Sequence, residues 1–403
     1  MLMDGLEARP VRPVHGAHPD SPALPMPPTV IDLRRTEDAR DVVHRAVQAL
    51  AEGRCVGFPT ETDYCVAGSL RHCATVEALL AHAPDRSGEP RLALALKGAD
   101  ESFDWAPGLS PVGRRLTRRC WPGPVVALVD GNHPDSLVHQ LLPAARDAVT
   151  GNGQLRLRVP GHSMLADCMR MLAGPIALLE PLTAGQAPVS AEDLLACPAP
   201  NLSLVLDDGR TRYAQAATAV AIEANSVRIV RPGIVSEETI RRLSSLMVLF
   251  VCTGNTCRSP MAEAQFRLMV ADRLGCRPDE VESRGVVIAS AGLSAWGGGK
   301  ASPGALEAMA EVGADLSGHE SQPVTENLVR QADVILTMTA SHRAGVLAQF
   351  PEAGGRVSML SPDRQDVLDP IGAPLPTYRR CAEQIRGHLA SRIDTLVDSI
   401  PRP

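Results

Sequence analysis

Residues 247–264 read MVLFVCTGNTCRSPMAEA. Five apolar residues, Met247 to Val251, predict a buried strand that runs directly into Cys252. Thr253, Gly254, Asn255, Thr256 and Cys257 form a short loop, and Arg258-Ser259 lead into a helix. Pro260 sits where a first helical turn tolerates proline, and Met261-Ala262-Glu263-Ala264 continue it. A strand that leaves through a tight loop onto a helix N-terminus makes an anion site, because loop N–H groups converge there and the helix dipole favours negative charge. Gly254 supplies backbone freedom, and Asn255 tolerates a left-handed conformation that can lock the loop.

The same field favours a thiolate at Cys252, and a thiolate can attack phosphorus to form a phosphocysteine intermediate. Arg258 would bind the equatorial oxygens bidentately, and Ser259 could donate to the sulfur as it leaves. The spacing alone is weak. A cysteine with an arginine six residues on occurs twice, at Cys65/Arg71 and Cys252/Arg258. With ten cysteines and 40 basic residues, of which only Lys97 and Lys300 are lysines, about one such match is expected by chance. Context separates the two. Arg71 is followed by His72 and Cys73, with neither a hydroxyl nor a clear helix start, so Cys65 is read as a core cysteine. An acid and base is also required, and Asp366-Val367-Leu368-Asp369-Pro370 offers it. Asp369 precedes a proline that holds it extended, off the helix that follows.

Outside this stretch, 403 residues suit two domains, and 44% hydrophobic with 21% charged residues is a globular composition. Aromatics at 3% advertise no stacking platform for single-stranded nucleic acid, and a net charge of −6 argues against a broad basic face while leaving a local basic groove open. The cysteines are scattered without a CxxC pair, so no metal site is expected and the thiols are read as reduced. No apolar run is long enough to span a bilayer, and the expectation is a soluble, cytoplasmic protein without a membrane partner.

Seven prolines between Pro10 and Pro28 mark residues 1–28 as an extended, disordered tail. Residues 29–245 are read as one mixed α/β domain, with apolar runs at 92–96, 125–129, 155–159, 176–179, 202–206 and 218–222 alternating with helices. Ser236 is a candidate N-cap for a short helix before the boundary. Residues 246–403 form a second domain. Strands at 247–251, 286–289 and 332–338 alternate there with helices at 260–274, 303–312 and 377–400, the rhythm of a doubly wound parallel sheet.

Four segments then carry a resemblance: VCTGNTCRSPMAEA, the SAG at Ser290–Gly292, ADVILTMT at Ala332–Thr339 and the DP at Asp369-Pro370 resemble the low-molecular-weight protein tyrosine phosphatase family in order and spacing. The resemblance spans about residues 247–395. It implies Cys252 as nucleophile, Arg258 as phosphate binder and Asp369 as general acid and base, with Asn255 and Ser259 supporting the loop, a phosphorylated protein as partner and no cofactor. Family members acting on phosphotyrosine often have a bulky aliphatic residue at the position of Thr256 and aromatics after the Asp-Pro. Here Thr256 is small and polar and Ile371-Gly372 follow, while the family's protein-arginine phosphatase branch has threonine in the loop. Phosphotyrosine and phosphoarginine therefore both stay open. Cys257 packs the loop or forms a reversible disulfide with Cys252. Arsenate reduction would need further redox cysteines, and only Cys276 and Cys381 remain in this domain.

Residues 39–236 resemble the threonylcarbamoyl-AMP synthase (YrdC-type) family, through PTET-Y at Pro59–Tyr64, WPGP at Trp121–Pro124, LRVP at Leu157–Pro160 and RPG at Arg231–Gly233. The resemblance implies ATP as cofactor and a pocket drawn from Thr60, Thr62, Tyr64, Arg158, Thr218 and Arg231. Its ATP motifs are degenerate. Arg86 stands without the family's lysine, Glu180-Pro181-Leu182 replace a serine–asparagine pair, and Glu180 is expected to repel an incoming phosphate. Two readings follow: a working synthase for tRNA modification, or a module that binds RNA (including double-stranded RNA), a nucleotide or threonine, or serves as scaffold.

Overall fold

The computed structural model describes residues 27–86, 88–182, 185–197, 202–397 and 400. The expected tail lies outside them, except for Pro27 and Pro28. The apolar runs assemble into two separate sheets. The first takes β1 (Thr29–Asp32), β2 (Cys55–Pro59), β3 (Tyr64–Ser69), β4 (Ala93–Ala95), β5 (Val125–Asp130), β6 (Thr150–Gly151), β7 (Gln154–Arg158), β8 (Ile176–Leu179), β9 (Leu202–Asp207), β10 (Thr218–Glu223) and β11 (Ser226–Arg231). Their order is β1-β9-β2-β3-β8-β4-β7-β5-β10-β11, with β6 alongside β7. Parallel pairs such as β5–β10 neighbour antiparallel ones such as β5–β7, so this half is mixed α/β as its composition of alternating runs and helices predicts.

The second sheet takes β12 (Leu246–Cys252), β13 (Val286–Gly292), β14 (Val334–Thr337) and β15 (Val357–Met359), in the order β13-β12-β14-β15. Every pairing is parallel. The reason is legible in β12 itself. Val248 and Phe250 face one way, against Met261 and Phe266 of the helix Arg258–Leu274 and Ile385 of the helix Leu375–Ala390. Leu249 and Val251 face the other, against Val329 of the helix Glu326–Gln331 and Val346 of the helix Ala340–Gln349. A strand covered on both faces must be apolar throughout, which is why it reads as a continuous run. Phe250 and Phe266 meet edge to face at 5.6 Å and pin the long helix to the strand.

One element departs from the sequence reading. The expected single helix over 377–400 is two, Leu375–Ala390 and Ile393–Val397. Arg392 lies at the break and turns its guanidinium onto the carbonyls of Leu360 and Met359, both at 2.7 Å.

The two sheets are joined by charge. The helix Pro111–Cys120 points Arg115, Arg118 and Arg119 at Asp333, just ahead of β14. Arg118 and Arg119 reach its carboxylate at 2.6 and 2.8 Å, and the Met247 N–H donates to it at 2.8 Å. Arg119 also binds the carbonyls of Leu243 and Ser245, at 2.8 and 2.7 Å, where the helix Glu237–Ser244 ends. This junction sits where β12 and β14 begin, at the opposite end of the sheet from the loop 253–257.

Candidate functional site

The loop after β12 is built around the sulfur of Cys252, which is 3% exposed. The Asn255 backbone N–H donates to it at 3.2 Å, and the Ser259 hydroxyl lies 3.0 Å away. Asn255 Nδ2 donates to that hydroxyl at 2.9 Å, and the Ser259 proton has two acceptors in reach, the sulfur and the Ala291 carbonyl at 3.4 Å. The sulfur is thus placed as an acceptor, the arrangement that suits an anionic nucleophile. Asn255 has φ 54°, the left-handed conformation expected of it, and is fully buried. Its side chain also donates to Ser290 Oγ at 2.8 Å and accepts from the Gln322 N–H at 2.9 Å, so one residue ties the loop to the neighbouring segments. Gly292, the glycine of the SAG segment, permits the close approach: a Cβ there would meet the Thr253 carbonyl oxygen at 2.5 Å.

Arg258 begins the helix and is almost buried, with 7% of its side chain exposed. It donates to Asp369 Oδ2 at 2.6 Å and to Thr253 Oγ1 at 3.4 Å. Asp369 is half exposed, and its other oxygen accepts from the Ile371 N–H at 3.2 Å. Asp366, the other carboxylate of that segment, is engaged elsewhere and accepts from the Ala340 N–H at 2.9 Å. Asp369 alone of the two meets Arg258. Cys257 packs beside the loop, with its sulfur 3.1 Å from Ser302 Oγ and 3.8 Å from the Tyr378 hydroxyl. Cys381 bonds to the Leu368 carbonyl at 3.2 Å, and burial pushes its thiol up to about 12. That environment suits a packing cysteine rather than a redox relay.

Three residues of this region were not singled out from sequence. His342 bridges Thr253 Oγ1 and Thr339 Oγ1, each at 2.8 Å, and burial, then Arg258, lower its pKa below the ordinary value. Thr253 accepts from Arg258, so its own hydroxyl proton can go to His342 Nε2, with Nδ1–H facing Thr339. His319 Nε2 lies 2.8 Å from the Asn255 carbonyl. Trp296 is 89% exposed on the loop after β13, a loop seated on the first by the Leu293 N–H to Cys252 carbonyl and Ser294 N–H to Thr253 carbonyl bonds, at 3.0 and 2.9 Å. The exposure of Trp296 is a property of the fold that the sequence does not show.

In the N-terminal sheet the structure brings together four of the six candidates. Arg158 is fully buried and donates to Thr60 Oγ1 and Thr62 Oγ1 at 3.0 and 2.6 Å, while Arg231 reaches the same centre through Glu180 at 3.1 Å. Tyr64 and Thr218 serve other ties. The Tyr64 hydroxyl donates to the Gly209 carbonyl at 2.7 Å, and Thr218 Oγ1 exchanges 2.9 Å bonds with the Val235 backbone. Cys65 is wholly buried in β3, and burial raises its thiol pKa, as befits a core cysteine. Glu180, expected to repel an incoming phosphate, lies among arginines. Its carboxylate is already paired with Arg86, Arg156, Arg158 and Arg231. Among the described residues no cluster of His, Cys, Asp and Glu could hold a metal ion, and no helix is long and apolar enough to cross a membrane.

A parallel sheet that delivers a sulfur into an anion-binding loop, with a guanidinium and a carboxylate paired beside it, defines a cysteine-dependent phosphatase. Comparison with known proteins gives the particular family. The family described as low molecular weight phosphotyrosine protein phosphatase matches residues 247–399, and one described as telomere recombination, Sua5/YciO/YrdC, matches residues 48–233. A protein-arginine-phosphatase of Bacillus subtilis is 39% identical over 142 residues, which cover 34% of this chain and 88% of that protein. A probable low molecular weight protein-tyrosine-phosphatase, EpsP, of Ralstonia nicotianae is 36% identical over 140 residues, covering 34% and 88%. A protein-arginine-phosphatase of Geobacillus stearothermophilus is 33% identical over 157 residues, covering 38% and 95%. Through its C-terminal part, the chain belongs to the low-molecular-weight protein phosphatase family.

Proposed function

We propose that the chain hydrolyses phosphoarginine in proteins, with Cys252 as nucleophile, Arg258 as phosphate binder and Asp369 as acid and then base. In the first step the Cys252 thiolate attacks phosphorus, the P–N bond breaks and Asp369 protonates the departing guanidine nitrogen. In the second, water attacks the phosphocysteine, gives its proton to Asp369, and the P–S bond breaks to restore the thiolate. Ser259 donates to the sulfur as it leaves, and the loop N–H groups of residues 253–258 hold the phosphoryl oxygens. The phosphoryl group competes with Asp369 for Arg258, whose 2.6 Å pairing would otherwise keep the carboxylate away from the leaving group.

The observation that carries the choice of substrate is Thr256. It is half-buried, in the loop itself, and its hydroxyl lies 3.7 Å from the Cys257 sulfur. A small hydroxyl there leaves room for, and can bond to, the planar guanidinium next to phosphorus, whereas a bulky aliphatic side chain fills that room. The relatives from B. subtilis and G. stearothermophilus named as arginine phosphatases support the same reading. The test is Thr256→Ile, assayed on phosphoarginine and phosphotyrosine peptides. The ratio of kcat/KM values is expected to move at least about tenfold towards phosphotyrosine, about 1.4 kcal/mol of transition-state discrimination. An unchanged ratio would remove Thr256 as the residue that selects phosphoarginine, and wild type inactive on phosphoarginine peptides would overturn the substrate.

A further inference from the structure

The first sheet hides an unusual concentration of charge. Arg156 and Arg158 sit on β7, Arg86 and Arg231 approach from the sides, and all four guanidinium groups close on the single carboxylate of Glu180, at the end of β8. Glu180 is 5% exposed, Arg158 0%, Arg156 1% and Arg86 8%. Arg158 and Arg231 each lie 3.1 Å from the carboxylate and Arg86 3.4 Å, with Arg156 closer still. The balance is not even. Four guanidiniums share Glu180, and the other carboxylates present, Asp63 and Glu61, both at 3.3 Å, touch only Arg158. Burial raises the Asp63 pKa, which weakens it further as a counter-charge. Glu61 spends its second oxygen on the Gly161 N–H. The Nε donors of Arg86, Arg156, Arg158 and Arg231 are all buried without an acceptor.

Buried donors without acceptors are rare, and four arginines that share one carboxylate each keep one, so the cluster holds more donors than that carboxylate has acceptors for. Guanidinium forks bind phosphate oxygens in pairs, and four converging forks match a phosphate chain better than a single carboxylate. The hydroxyls of Thr60 and Thr62, already turned onto Arg158, are further polar partners. Glu180 stands at the centre of this cluster. An incoming phosphate would have to expel a carboxylate from four cations, or else lie against its negative charge.

We propose that the N-terminal sheet holds a polyphosphate-binding cradle that the chain's own Glu180 fills, so that this half of the protein takes no nucleoside triphosphate and acts as a scaffold rather than a nucleotide-consuming enzyme. The inference is independent of the phosphatase reading, since it concerns a different sheet and different residues.

The experiment is calorimetric titration of the full chain with inorganic triphosphate. Wild type and Glu180→Gln are compared; the amide keeps the shape of the side chain and removes its charge. Wild type is expected to show no binding up to about 1 mM, and Glu180→Gln to bind at least about tenfold more tightly than that limit, because Arg86, Arg156 and the part-exposed Arg231 lose the Glu180 carboxylate while Arg158 keeps Asp63 and Glu61. Near-ultraviolet circular dichroism checks that the variant is folded. Binding of triphosphate by wild type below that limit would overturn the proposal, and so would a folded Glu180→Gln protein that binds none. Should Glu180→Gln fail to fold, Glu180→Ser removes the charge and leaves a small hydroxyl among the guanidiniums. Measurable triphosphate binding by that variant supports the proposal, and its absence in folded protein contradicts it.

Discussion

Replacing Asp333 by alanine removes the one carboxylate that gathers three arginines and a backbone N–H at the junction of the two sheets. The side chain is 11% exposed, and Arg115 and Arg119 are each 5% exposed, so water cannot take over the lost partner. Burial already pushes Arg119 down to about 10 despite Asp333, which shows how poorly solvated that guanidinium is. Breaking a buried charge pair by deleting one side costs about 3–5 kcal/mol. The bond to Arg118, whose side chain is 30% exposed, adds at most about 1 kcal/mol. The expected loss is therefore about 3–6 kcal/mol, a large share of the roughly 5–15 kcal/mol that holds a domain together. Differential scanning calorimetry and urea unfolding would read it. Wild type should unfold with its two halves coupled, and Asp333→Ala should unfold earlier, with the halves separating into two transitions. Asp333→Asn, which can still accept from the Met247 N–H, should recover about 1 kcal/mol. A loss below about 1 kcal/mol in Asp333→Ala, with an unchanged unfolding profile, would refute the view that this cluster joins the sheets.

Two further outcomes are expected. Asp369→Asn should lower kcat about 10²–10⁴-fold on phosphoarginine peptides, and much less on an aryl phosphate whose leaving group needs no proton; equal losses on both would remove Asp369 from proton transfer. The lowered His342 pKa makes stability depend on pH with a definite sign. The unfolded chain takes up the proton first, so this contribution is intact above about pH 6.5 and is lost as the pH falls through the folded value. Urea unfolding from about pH 7.5 to 5 should show a flatter loss in His342→Gln than in wild type, and parallel curves would contradict the assignment.

The parts of the fold that could be read from sequence are those where one local rule acts alone. The run 246–252 is apolar because both faces of β12 are covered, and Ser236 caps its helix as expected, accepting from the Thr239 N–H. The left-handed Asn255 follows from the demands of a tight loop. What was not legible depended on distant partners. β15 is three residues long, Val-Ser-Met, too short for any period to show, and is a strand only because β14 lies beside it. β3 contains Cys65 and is buried along its whole length, so it lacks the alternation that marks a half-exposed strand. His342 reaches the phosphate loop across 89 residues of sequence, and Asp333 meets arginines more than 200 residues away. Glu180 read alone is an acid out of place; only the fold supplies the four arginines around it.

The central claim is tested most directly by rapid quenching of wild-type enzyme and Cys252→Ala during turnover of a phosphoarginine peptide, followed by mass mapping of the protein. Wild type is predicted to carry a phosphoryl group on the peptide containing Cys252, formed in the first turnover, and Cys252→Ala to show neither label nor hydrolysis. Turnover that persists in Cys252→Ala, or a phosphoryl group trapped on any other residue, would contradict the account.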